Sequence, residues 1–127
     1  MYIHLSSKDS INSSPQNNCW DFTIDTGRYI RLEGKYEVGL SEIWWDGEER
    51  ENLYIFSDIV NPSFVMDSYL PILRVTHQPK IFTRPHYMRL AQDSISQIRV
   101  YIRTDKYKKP SFTPKSLNCT LEIRRLQ

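Results

Sequence analysis

From Leu117 to Arg124, apolar Leu117, Cys119, Leu121 and Ile123 alternate with polar Asn118, Thr120, Glu122 and Arg124. A strict period of two marks a strand with one face in a core and the other in water. The same period recurs at Trp20, Phe22 and Ile24, at Tyr36, Val38 and Leu40, and at Ile98, Val100 and Ile102. No stretch carries a convincing helical period. Each such strand must bury its apolar face against another layer, so the chain is constrained to sheets packed on sheets or a closed barrel. Composition agrees: alanine, the best helix former, occurs once, at Ala91, whereas the chain holds eight tyrosines and three tryptophans.

Turn residues divide the pattern into short extended segments. Tyr2 to Leu5 is a first strand, followed by a Ser/Asn/Pro-rich loop to Asn18. Cys19 to Asp25 is a second, closed by a turn at Thr26-Gly27-Arg28, with a short edge segment at Tyr29 to Leu32. Lys35 to Trp45 follows, then a charged loop from Asp46, then Leu53 to Val60, apolar on both faces. Residues 63–68 read as a loop. Tyr69 to His77 is an edge strand with Pro71 near its start. Short pieces flank Pro85, and Ser94 to Asp105 and Leu117 to Leu126 complete the set. Regular short strands at intervals of roughly 10–15 residues suggest a sandwich or barrel.

With 127 residues the chain is expected to form a single domain over 1–127, large enough to fold around its own core. Its longest apolar runs are too short to cross a membrane as a helix, and no secretory signal is expected at Met1 to Ser7. Residues 1–83 carry seven Lys and Arg against twelve Asp and Glu, and residues 84–127 carry ten against three. Either two surfaces of one domain attract each other, or a basic surface meets nucleic acid or an acidic partner. If the fold is an eight-stranded jelly roll with its second and last strands adjacent, Cys19 and Cys119 fall at opposite ends and on opposite faces. Two free thiols in a reducing compartment are expected.

No constellation for catalysis stands out. His4, His77 and His86 lie far apart, without the spacing of metal ligands. The carboxylate pairs Asp21 with Asp25 and Glu48 with Glu49 read as solvated surface. No catalytic residue, metal or cofactor is expected, and an enzyme ranks last. Trp44 and Trp45 are adjacent, so they face opposite sides of a strand and one must leave the core. Together with Phe64 and Met66 they are the candidate interface residues. Lys106, Lys108, Lys109 and Lys115, with Tyr107 among them, are the candidate basic contact for phosphates or an acidic partner.

Several segments resemble one family. They are Tyr2-Ile3-His4-Leu5-Ser6-Ser7, Trp20-Asp21-Phe22-Thr23, and Ile30 to Ile43 with its Arg31-Leu32-Glu33-Gly34-Lys35-Tyr36 core. Leu53 to Val60, Tyr69-Leu70-Pro71-Ile72-Leu73-Arg74-Val75, Pro85-His86-Tyr87, Ile98 to Asp105 and Leu117 to Arg124 follow in order. The chain resembles the penton-like minor capsid proteins of Polinton/Maverick elements and adintoviruses. The resemblance implies an eight-stranded jelly roll, a single antiparallel β-sandwich that forms pentamers at icosahedral vertices beside a major capsid protein. It implies a virion location, assembly inside the host cell, and no catalytic residues. The sequence departs from that pattern between Trp45 and Leu53, where a longer insert is replaced by Asp46 to Asn52. Nucleic acid is the less favoured partner, and no membrane is expected. The rival expectation is a monomeric β-sandwich binding module that recognises a protein, glycan or nucleic acid through Trp44 or Trp45.

Overall fold

Strands must find hydrogen-bonding neighbours, and here every long one does so antiparallel. The computed structural model describes residues 1–11, 19–46, 52–111 and 114–126. Its strands are β1 (Tyr2–Ser6), β2 (Asp21–Arg31), β3 (Tyr36–Trp45), β4 (Leu53–Ser57), β5 (Ser63–Val65), β6 (Ser68–Leu70), β7 (Ile72–Thr76), β8 (Lys80–Ile81), β9 (Tyr87–Arg89), β10 (Ser94–Arg103) and β11 (Leu117–Arg125). One sheet has the order β1-β11-β3, with β8 and β9 sharing the far edge of β3; the other runs β2-β10-β4-β7. This is an all-β jelly roll. Eight positions build it, β8 and β9 together filling one of them, and the β5–β6 ribbon is an addition.

The inward faces form the core. Val38, Leu40 and Ile43 of β3 and Leu117, Leu121 and Ile123 of β11 meet Phe22, Leu53, Ile55, Ile98, Val100 and Ile102 of the opposite sheet. Trp20 and Trp45 sit edge to face in this core, with centroids 6.3 Å apart. Burying one aliphatic side chain of this kind contributes roughly 1.5–3 kcal/mol.

Four expectations are corrected. β2 is one strand of eleven residues, not a strand, a turn and an edge segment. Thr26 to Tyr29 bulge out between the pairs Asp25–Gln97 and Ile30–Ile95. Gly27 takes φ 78°, and its N–H donates to Asp25 Oδ1 at 2.7 Å. The expected loop 63–68 and the first two residues of the expected Tyr69–His77 strand instead form a hairpin. The second and last strands are not neighbours, because β2 pairs β10 and β11 lies between β1 and β3. Cys19 does not face outward. It is buried beside β2, its thiol donating to the Pro114 carbonyl at 3.2 Å. Cys19 and Cys119 are both free and buried.

The register also fixes the two ends of the sandwich. β1, β3, β7 and β10 finish at the end where β2, β4 and β11 begin, so Asp46, residues 104–111 and residues 114–116 gather there. The hairpin follows the last residue of β4, which places it toward the opposite end. No helix among the described residues is long and apolar enough to span a membrane.

Candidate interaction surfaces

The outer face of the β1-β11-β3 sheet is built row by row from the alternating polar positions. Ser6, Asn118 and Trp44 align in one row; His4, Thr120, Glu42 and Ile81 align in the next. A hydrogen-bonded chain crosses three strands. The Thr120 hydroxyl donates to Glu42 Oε1 at 2.9 Å, so its lone pair accepts from His4 Nδ1 at 2.8 Å. A carboxylate only accepts, so this assigns the imidazole proton to Nδ1. Glu42 Oε2 in turn accepts from the Trp44 indole at 3.4 Å. The tether orients Trp44 while leaving it 44% exposed. A shallow cleft of about 470 Å³ opens beside it, lined by Lys8, Asp46, Lys115, Ser116 and Asn118. The backbone N–H of Lys115 donates to Asp46 Oδ1 at 2.9 Å, which ties this loop to the end of β3.

The neighbouring tryptophan goes the other way. Trp45 is 7% exposed and packs on Trp20 in the core. The expectation that one of the pair leaves the core holds, and Trp44 is the one. Strand alternation turns Trp45, the other candidate interface residue, inward, although it also contributes to the lining of the cleft beside Trp44.

The hairpin β5–β6 presents a second apolar surface. Phe64 and Tyr69 are directly opposed across its two strands, edge to face at 5.7 Å, and both are strongly exposed. Met66 is half-buried at the tip, where Met66 and Asp67 take φ of 50° and 60°. Positive φ at both central residues is the mark of a type I′ turn, whose twist suits a two-residue hairpin loop. Neither residue is Gly or Asn, so the sequence carries no hairpin signal there.

Residues 104–110 form the third surface. Lys106, Lys108 and Lys109 are exposed, and the loop folds back over the outer face of the second sheet. Beneath it Tyr101 stacks on Phe56 at 5.0 Å, and Tyr107 packs edge-on against Phe56 at 5.7 Å. Arg99 and Arg103 cover the Tyr101 ring at 4.4 and 5.2 Å. Both arginines also engage Asp21, at 2.8 and 3.7 Å. The Arg99 guanidinium hydrogen-bonded to Asp21 holds its carboxyl below the usual carboxylate range. Tyr101, which alternation with Val100 and Ile102 turns to the outer face of β10, is therefore buried on the outside of its sheet, and burial raises its phenol's pKa.

The structure thus separates the sequence-predicted residues into three places: Trp44 with Lys115, Phe64 with Met66, and Lys106, Lys108 and Lys109 together. Sequence reading missed the His4–Thr120–Glu42 chain and the Phe56–Tyr101–Tyr107 stack, since only the register brings them together. Glu48 and Glu49 lie outside the described residues. Among the described residues no group of three His, Cys, Asp or Glu gathers as a metal set. Comparison with protein families, curated proteins and solved structures found no match to this chain.

Proposed function

We propose that this chain is a structural subunit, a penton-like minor capsid component that self-associates into a closed ring. The observation that carries the reading is the position of its exposed apolar side chains on the jelly roll. Trp44 and Ile81 lie on the outer face of one sheet, whereas Phe64 and Tyr69 lie on a separate ribbon toward the other end. A ring is heterologous: one patch must meet a different patch on the next copy. Two unlike apolar patches supply that requirement, and large aromatic anchors are the side chains such contacts use. The sequence resemblance to penton-like proteins supports a fivefold ring at an icosahedral vertex, with a major capsid protein as the outer partner and the virion as location.

Light scattering after size exclusion tests the reading. A species of roughly five chain masses is expected, as closed cyclic assembly requires. A monomer at every concentration overturns it. Phe64→Ser with Tyr69→Ser damages one patch, and Trp44→Ser damages the other. Each variant alone should stay monomeric. Their equal mixture should give dimers without rings, because one intact contact remains between unlike variants.

One observation favours a second reading, a monomeric binding module. The oriented Trp44 ring, beside Lys8, Lys115 and Asn118, offers a stacking surface with polar groups at its rim. A monomer whose only ligand contacts depend on Trp44 would support it.

A further inference from the structure

The 104–110 loop has no part in the ring contacts, and the inference drawn from it stands apart from that reading. The loop is held in one shape. Thr104 donates its N–H to the Lys108 carbonyl at 2.8 Å and accepts the Tyr107 N–H on its own carbonyl at 2.9 Å. Its hydroxyl oxygen accepts the N–H groups of Lys106 and Lys108, both at 3.3 Å. Tyr107 sits at φ 57°, a backbone conformation uncommon for a bulky residue and found where surrounding contacts enforce it. Here the Thr104 carbonyl holds its backbone N–H and Phe56 holds its ring.

The fixed loop displays charge around an aromatic. Lys106, Lys108 and Lys109 are exposed, and Tyr107 between them is 43% exposed. Arg103 lies 5.9 Å from the Tyr107 ring centroid. Of the carboxylates on this face, Asp21 is already engaged by Arg99 and Arg103, Asp58 accepts the Arg99 N–H at 2.9 Å, Asp25 lies further along β2, and the exposed Asp105 belongs to the loop itself. We infer that this loop binds single-stranded nucleic acid, with the three lysines on phosphates and the exposed part of the Tyr107 ring against a base. Cations interleaved with an available ring match the two faces of a single strand, charged backbone and flat base. A duplex hides its base faces, and an acidic peptide uses the lysines but has no flat base for the ring.

Fluorescence anisotropy of a labelled 15-nucleotide oligothymidylate, with the whole chain, tests this. Three phosphate contacts on a single strand predict a roughly twenty-fold loss of affinity between 50 and 200 mM salt. Lys106→Gln, Lys108→Gln and Lys109→Gln combined should abolish binding at 50 mM salt with an unchanged urea midpoint. Tyr107→Asn keeps a residue that tolerates the left-handed backbone but removes the ring, and should weaken binding about tenfold. Lys35→Gln, an exposed cation at the opposite end of the sandwich, should bind like the parent, which separates this site from general surface charge. Absence of binding at 50 mM salt overturns the inference. So does a triple variant that binds like the parent, or polyglutamate competing as well as oligothymidylate at equal charge. If Tyr107→Asn lowers the urea midpoint, the lysine variant and the competitor still decide.

Discussion

Gly39 sits on the outer face of β3 opposite Tyr87 of the neighbouring β9, and a Cβ there would lie 3.0 Å from Pro85 Cβ and from Tyr87 Cδ1. Gly39→Ala should therefore cost about 1–3 kcal/mol by forcing that segment away. Urea unfolding measures it, and a loss below the experimental error would mean that the Pro85–Tyr87 segment yields freely. Cys119 gives a second expectation at this scale. Burial pushes its thiol up to about 12. The folded state thus favours the protonated form. That stabilisation is complete below the ordinary thiol value near 9 and is lost as pH climbs from there toward 12. Cys119→Val should flatten the decline of stability over that alkaline window, as followed by thermal unfolding at several pH values. An unchanged slope would remove Cys119 as its source. The tryptophan pair shows what single residues disclose in sequence: alternation says that one ring leaves the core, but only the phase of β3 against β11 says which.

Elements were legible where one face is buried and ambiguous where backbone geometry does the work. The cores of β2, β3, β10 and β11 follow directly from alternation. Thr26-Gly27-Arg28 carries the residues of a turn, yet a bulge needs the same positive φ at glycine, and the pairing of Ile30 with Ile95 beyond it decides for one continuous strand. The β5–β6 ribbon escaped notice because its tip is Met66-Asp67. Two ordinary side chains in the left-handed region are strained by roughly 1 kcal/mol or more each. Replacing them with Asn-Gly should raise the thermal midpoint and strengthen hydrogen-exchange protection of Phe64 and Tyr69, because that pair suits a type I′ turn. A lower midpoint would show that the Met66 side chain contributes more than the strain it imposes.

At the scale of the whole molecule the chain ends are joined, since β1 pairs β11 and the Met1 ammonium donates to the Ile123 carbonyl at 2.9 Å. Most partners in the sheets are distant in sequence, so loop closure precedes the reward of pairing. Refolding should take milliseconds to seconds, far slower than a helical bundle of similar length. Stopped-flow fluorescence would check it, and a microsecond phase carrying the full amplitude would contradict it. The unequal charge of the two chain segments is met partly inside the fold: the described ion pairs join Arg99 and Arg103 to Asp21 and Arg124 to Glu37. This overall arrangement, unlike the period of each strand, could not be read from spacing alone; which strands are neighbours depends on contacts across nearly the whole sequence. It also divides the three indoles into separate optical reporters. Trp20 and Trp45, packed edge to face and buried, emit toward the blue and follow the parting of the two layers. Trp44 emits toward the red and follows whatever covers the sheet from outside, so one spectrum can distinguish a molecule coming apart from a molecule being covered.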